Sequence, residues 1–209
     1  MARMLREALR EHTRIQHARL EERLALERRV RDRDAYVDLL KRFHGFYVPV
    51  EARLAAFAPA FREHGIDLTE RFKATNLLRD LHVFGEYVSE PTDLDLLPDL
   101  STFPRAVGCL YVLEGSTLGG QVIMRHVRQS LRLEEHNGAA FFSGYGPRTG
   151  AMWQAFLKFL GALPFEPAET AQAIAAARET FESLETWLCG CMYGPLKQPF
   201  ALRPLQEIP

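Results

Sequence analysis

The chain has 209 residues, 47% of them hydrophobic and 25% charged, with a net charge of −1. That is enough apolar material for one sizeable core, read here as one domain over residues 1–209, and the near-balance of charge removes any global electrostatic basis for a nucleic-acid partner. No run of 18 apolar residues and no signal peptide is visible, so the chain reads as a cytoplasmic protein with no membrane partner, and three cysteines give no disulfide framework.

The hydrophobic pattern is helical, without a convincing strand signal, so the fold class is all-α. A first helix is expected from about Arg3 to Arg28. It carries T-R-I-Q-H-A-R-L-E, in which Arg10, Thr13, His17 and Glu21 are spaced seven, four and four residues about the histidine and share one helical face. A neutral imidazole on such a face can ligate a metal while a carboxylate one turn on accepts its other N–H and raises its basicity. A surface histidine is the alternative, and spacing alone does not choose between them. Residues 1–33 hold ten arginines against six acidic residues, a local +4 that serves either as a solvated face or as an attractor of anionic groups.

A second helix is expected from Asp32 to Phe57, kinked or divided at Pro49, and a third from Thr69 to Gly85, followed by the turn-rich S-E-P-T-D-L-D-L-L-P-D-L. Next comes one long helix, Ser101 to Leu131, with Ser101 as N-cap and an early proline. Gly115, Gly119 and Gly120 fall in its middle, each costing roughly 1 kcal/mol relative to alanine. Two readings offset that cost. The glycines let another helix approach, or the helix kinks and lays backbone against a flat ligand with room for a diatomic molecule. Gly144, Gly146, Pro147 and Gly150 mark a turn before a helix at Thr149 to Leu160. Pro164 and Pro167 precede a last helix to Cys189, and the tail G-P-L-K-Q-P-F-A-L-R-P is expected to be extended over the surface.

Competing motifs fail on chemistry. G-S-T-L-G-G has no lysine after its glycines and sits inside a helix, which removes the P-loop. No Glu-x-x-His pair occurs, which removes a ferritin-like di-iron bundle. Cys189 and Cys191 form a C-x-C without a second ligand pair, too little for zinc.

L-Y-V-L-E-G-S-T-L-G-G-Q-V-I resembles the distal-helix signature of heme oxygenases, T-R-I-Q-H-A-R-L-E resembles their proximal-helix segment, and F-F-S-G-Y-G-P-R-T-G-A-M-W is similar to members encoded beside bacteriophytochromes. The likeness covers nearly the whole chain. It implies a helical bundle holding heme b between a proximal N-terminal helix and a kinked, glycine-rich distal helix, with His17 as iron ligand and Glu21 as its partner. It further implies O2 bound against the backbone at Gly115, Ser116 and Gly119. Heme is then both cofactor and substrate, cleaved to biliverdin, by resemblance the α isomer, with release of carbon monoxide and ferrous iron. Electrons come from a soluble ferredoxin or reductase, and a bacteriophytochrome is the implied acceptor of the pigment. Thr13 and Gly120 belong to the same heme contacts. Arg10 and Lys158 match basic residues near the propionates, Tyr111 a position at the pocket edge, and Phe181 a pocket wall; for Tyr111, Lys158 and Phe181, core packing or solvation reads equally well.

One departure stands out. Many members place an aspartate directly after the first distal glycine, where it orders water, and this chain has Ser116, a replacement shared by an active bacterial subgroup. Two other classes remain open. One is a heme carrier or sensor without turnover. The other is a thiaminase-like enzyme, which needs a nucleophilic cysteine, and Cys109 has no evident activating base.

Overall fold

A computed structural model describes residues 5–24, 30, 32–88 and 94–190. Among these residues there are helices and 3₁₀ turns and no strand.

The expected first helix is two. α1 (Leu5–His12) buries Leu5, Ala8 and Leu9, and α2 (Arg14–Leu24) buries Leu20 and Leu24. The interruption falls at Thr13, whose hydroxyl and amide both donate to the Leu9 carbonyl, at 2.8 and 3.1 Å. A threonine bonding back onto the preceding turn competes with the regular ladder. The expected outer ends of this helix, Arg3 and Arg28, lie outside the described residues.

α3 (Arg33–Ala55) starts where Asp32 accepts the Ala35 amide at 2.8 Å. Pro49 does not divide it. Phe46, Tyr47, Val50 and Leu54 are buried on both sides of the proline, so core packing outweighs one missing donor. α4 (Ala58–Glu63) follows at once. The third expected helix begins later than Thr69, because Asp67 turns the chain into a 3₁₀ segment, Leu68–Glu70, and α5 runs Ala74–Val83.

The long helix, α6 (Phe103–Leu131), is continuous through all its glycines. Its cap is Thr102, which accepts the Arg105 amide at 3.4 Å, and not Ser101, whose hydroxyl turns back to Asp99 at 3.1 Å. α7 (Ala140–Ser143), α8 (Thr149–Ala162) and α9 (Pro167–Cys189) complete the described fold. The expected tail, and Cys191 of the C-x-C, lie outside the described residues.

α6 and α9 form the most extensive helix pair, and α9 also receives α1, α2 and α3. Gly108 makes the α6–α9 approach possible: a Cβ there would lie 2.0 Å from the Ala173 carbonyl oxygen. A small residue at a helix crossing lets two backbones meet. Gly45 does the same for α3, where a Cβ would stand 3.0 Å from the Trp187 ring. One hydrophobic cluster, rich in phenylalanine and leucine, runs through all of these helices.

Candidate functional site

His17 stands on α2 with its side chain 57% exposed. Its Nδ1 lies 3.5 Å from Glu21 Oε2 across one helical turn, which leaves Nε2 as the nitrogen available to a ligand. Its ring meets Phe181 of α9 edge-on at 5.7 Å, and Phe181 is buried. Beside it, Gln16 holds a buried amide oxygen with no partner in the protein.

Thr13 ties this face to α6. Its hydroxyl donates to the Leu9 carbonyl at 2.8 Å and lies close enough to the Tyr111 phenol of α6 to influence it. Burial raises the Tyr111 pKa, and the Thr13 bond and the Arg10 charge oppose that rise. One turn along α2 from Thr13 is His17; one turn along α6 from Tyr111 is Gly115. The Thr13–Tyr111 approach therefore lies one turn from His17 on one side and one turn from Gly115 on the other.

From Tyr111, α6 presents Gly115, Leu118, Gly119 and Val122 on one stripe. Leu118 is 40% and Val122 52% exposed, an apolar strip left open on a helix that otherwise buries fourteen residues. A Cβ at Gly119 would meet nothing within 4 Å, and one at Gly115 only the Trp153 ring edge at 3.9 Å. Neither glycine is needed for helix packing. Gly120 differs. It is buried, and a Cβ there would stand 3.1 Å from the Phe142 carbonyl oxygen, so the packing explanation applies at Gly120 and the open-backbone one at Gly115 and Gly119.

Ser116 donates to the Leu113 carbonyl at 2.7 Å. With its single proton used, it accepts from the Tyr47 hydroxyl at 2.9 Å. Tyr47 is buried, and desolvation raises its pKa well above the usual phenol range, so it remains a donor.

Behind this wall lies a buried charge network that sequence reasoning missed. Arg71 pairs with Glu114, whose other oxygen accepts Tyr145 at 2.5 Å, and the Lys73 ammonium sits 3.6 Å over the Tyr145 ring and donates to the Arg71 carbonyl. Glu51 accepts the Lys73 and Ala74 amides at 2.6 and 3.1 Å, closing the N-terminus of α5 from across the core. Desolvation pushes Glu51 up to about 7 and Lys73 down to about 8, the first against its hydrogen bonds and the second against the nearby carboxylates. Glu114 occupies a position on the apolar stripe of α6, and a charge on a buried stripe is the signal that could have found the network.

Of the expected propionate partners, Arg10 is exposed one turn before Thr13 and close enough to influence Tyr111. Lys158 is exposed on α8, and no contact links its ammonium to His17, Arg10 or Tyr111. Among the described residues no three His, Cys, Asp or Glu side chains gather to hold a bare metal ion. A porphyrin-held iron needs only one protein ligand, so an open imidazole on α2 and an apolar, glycine-lined strip on α6 are a residue set that fits heme. Cys109 is buried, and desolvation raises its thiol to about 12, the reverse of an activated nucleophile. Among the described residues no helix is long and apolar enough to cross a membrane.

Residues 3–189 match the family model described as heme oxygenase. A protein named heme oxygenase from Xanthomonas campestris pv. campestris is 31% identical over 157 residues, covering 75% of this chain and 90% of that one. The fold superposes with a TM-score of 0.74 on the heme oxygenase of Neisseria meningitidis solved with NO and CO, at 23% identity over 90% of this chain and 91% of that one. The heme complex of a heme oxygenase from the cyanobacterium Synechocystis gives 0.71 at 17% identity, over 91% and 93%. With the family model spanning nearly the whole chain and the relative aligned over nine-tenths of its own length, the chain belongs to the heme oxygenase family, the oxidoreductases that degrade heme.

Proposed function

We propose that heme binds between α2 and α6 with His17 Nε2 as the iron ligand and Glu21 as acceptor of the Nδ1 proton. The observation that carries this reading is the open strip of Gly115, Leu118, Gly119 and Val122, which begins one turn from the residue that contacts Thr13, itself one turn from His17. An apolar strip of this kind excludes water from a flat ring. When bound, the heme supplies the iron at which O2 is activated and the porphyrin carbon that is oxidised.

The chain's own residues then divide the work. Glu21 holds the imidazole in one tautomer and strengthens it as a ligand. The bare backbone at Gly115 and Gly119 leaves space for a diatomic molecule. Ser116 cannot ionise, and because its own proton is held by the Leu113 carbonyl it offers a small acceptor beside that space, while Tyr47 keeps it in place. Arg10 sits where it can meet a heme carboxylate, and Lys158 reaches one only from the neighbouring α8. The products are biliverdin, of the IX-α isomer, with carbon monoxide and ferrous iron. A soluble ferredoxin or reductase donates the electrons, supported by the +4 excess of residues 1–33, and the reaction belongs to the cytoplasm, with a bacteriophytochrome as acceptor of the pigment.

The test is turnover of the reconstituted protein with a reductant in air. Loss of the Soret band with appearance of biliverdin absorption is expected, and a stable Soret band through repeated reduction would make the protein a carrier or sensor instead. Chromatography of the pigment reads the isomer. Replacing Arg10 and Lys158 together by Ala is expected to spread the product over two or more isomers with turnover retained, since charge-assisted hydrogen bonds of about 1.5–3 kcal/mol select the in-plane rotation of the ring.

A further inference from the structure

We propose that Glu185 is a positioning residue: from α9 it fixes the rotation of α2, and so aims the His17 imidazole. This rests on His17 as the iron ligand. Glu185 is 4% exposed, and its two oxygens take two guanidinium groups of α2, Arg19 Nε at 2.6 Å and Arg23 Nη1 at 2.5 Å. The arginines are nearly half exposed, so the buried partner sets the geometry and the long side chains adapt to it.

The arrangement around the α2 axis gives the clamp its consequence. The described part of α2 buries only Leu20 and Leu24. Arg19 and Arg23 each lie one residue before a buried leucine, about 100° to one side, and His17 lies on the other side, about 60° from Leu20 and 20° from Leu24. Apolar packing through two leucines has no direction and resists rolling weakly. A roll of α2 that slackens the arginines carries His17 toward or away from α6. Two charge-assisted bonds on one flank therefore hold the imidazole on the other.

α9 repeats the grip over successive turns. Arg178 donates to the carbonyl of His12, the last residue of α1, at 2.7 Å; Phe181 meets the His17 ring edge; Glu185 holds the arginines. Residues 178, 181 and 185 stand on one face of α9 at i, i+3 and i+7. The last helix thus acts as the rail against which the ligand-bearing segment is registered, and Glu185 is its only acidic member.

The experiment uses the full chain with Glu185→Gln, the double variant Arg19→Gln with Arg23→Gln, and the combination of all three. In the heme-free protein, amide exchange across residues 14–24 is expected to quicken at least tenfold in each, with exchange across 167–188 unchanged. In the heme complex, release of heme to apomyoglobin is expected to rise at least tenfold and the ferrous iron–imidazole stretching band to shift to lower frequency and broaden. The triple combination is expected to add nothing to Glu185→Gln, because all act through one contact. The arginine variant changes only exposed side chains and keeps the test open if Glu185→Gln does not fold. Heme release and an iron–imidazole band both equal to those of the native protein would overturn the proposal, as would effects that simply add in the combination. His17→Ala separates the two readings. If it leaves the ligand spectrum intact, the ligand assignment fails; if it abolishes that spectrum while Glu185→Gln changes neither band nor release, the positioning role fails.

Discussion

The two helices proposed to flank the heme, α2 and α6, are built in opposite ways. α2 buries two leucines, keeps its histidine and that histidine's carboxylate in solvent, and joins them by a contact within one turn. α6 buries fourteen residues, and its key polar partners, Tyr47, Arg71 and Tyr145, come from 31 to 69 positions away in the chain. α2 is thus a local device docked from outside onto α9. The distal wall is part of the core, and its stiffness comes from charges that water cannot reach. An open strip of glycine backbone survives on α6 because the buried side of the helix needs no help from it.

The sharpest way to break this comparison is to truncate one residue on each side. His17→Ala is expected to abolish the histidine-ligated ferric spectrum, with recovery on adding imidazole, while leaving the melting temperature of the heme-free protein within a degree or two, since the side chain is mostly exposed. Arg71→Ala is expected to do the reverse. It leaves Glu114 buried with Tyr145 as its hydrogen-bond donor and only the Lys73 charge nearby, at a cost of about 3–5 kcal/mol in urea unfolding, without touching His17. Equal stability losses in the two variants would erase the distinction.

Much of the local half of the molecule is legible in the sequence. T-R-I-Q-H-A-R-L-E places His17 and Glu21 together by helical periodicity alone, and the extents of α6, α8 and α9 follow closely from prolines and apolar spacing, although the cap of α6 is Thr102 and not Ser101. The interruption at Thr13 was not visible, because a threonine inside a helix carries no mark of whether it bonds back to Leu9. The non-local half was hidden for a common reason. Glu51, Asp80, Glu114 and Glu185 all sit at apolar-stripe positions, are all buried, and are all satisfied by groups at least 22 residues away. Periodicity says that such a carboxylate faces inward; only the fold says what meets it.

The glycines sharpen the comparison along α6 itself. Gly108→Leu is expected to cost several kcal/mol, because even a Cβ collides with the Ala173 backbone of α9. Gly119→Leu, at a position open on all sides, is expected to gain about 1 kcal/mol from helix propensity while impairing ligand binding at the iron. Melting temperature and CO affinity measured on one preparation separate the two. A loss of stability at Gly119 with CO affinity intact would make it another packing glycine.

The most gradual effect concerns pH, and it tests whether the network behind α6 is as dry as its geometry implies. Glu51 titrates near 7 in the folded chain and near 4.5 when unfolded, because burial outweighs the two amide bonds it accepts. Between those values the native state holds a proton that the unfolded chain has released, so this group's contribution to stability falls as pH rises from 4.5 to 7 and is constant above. Lys73, lowered from 10.5 to about 8, acts with the opposite sign and only above pH 8, outside that window. Asp80, raised from 3.8 to about 6, adds a slope of the same sign as Glu51, but it is present in native and variant alike and cancels in their difference. Unfolding free energies at pH 5 and pH 7 should therefore fall more steeply for the native protein than for Glu51→Gln, by up to about 1.4 kcal/mol per pH unit. Parallel lines would mean that water reaches Glu51, and that the wall behind Ser116 is hydrated where its hydrogen bonds make it dry.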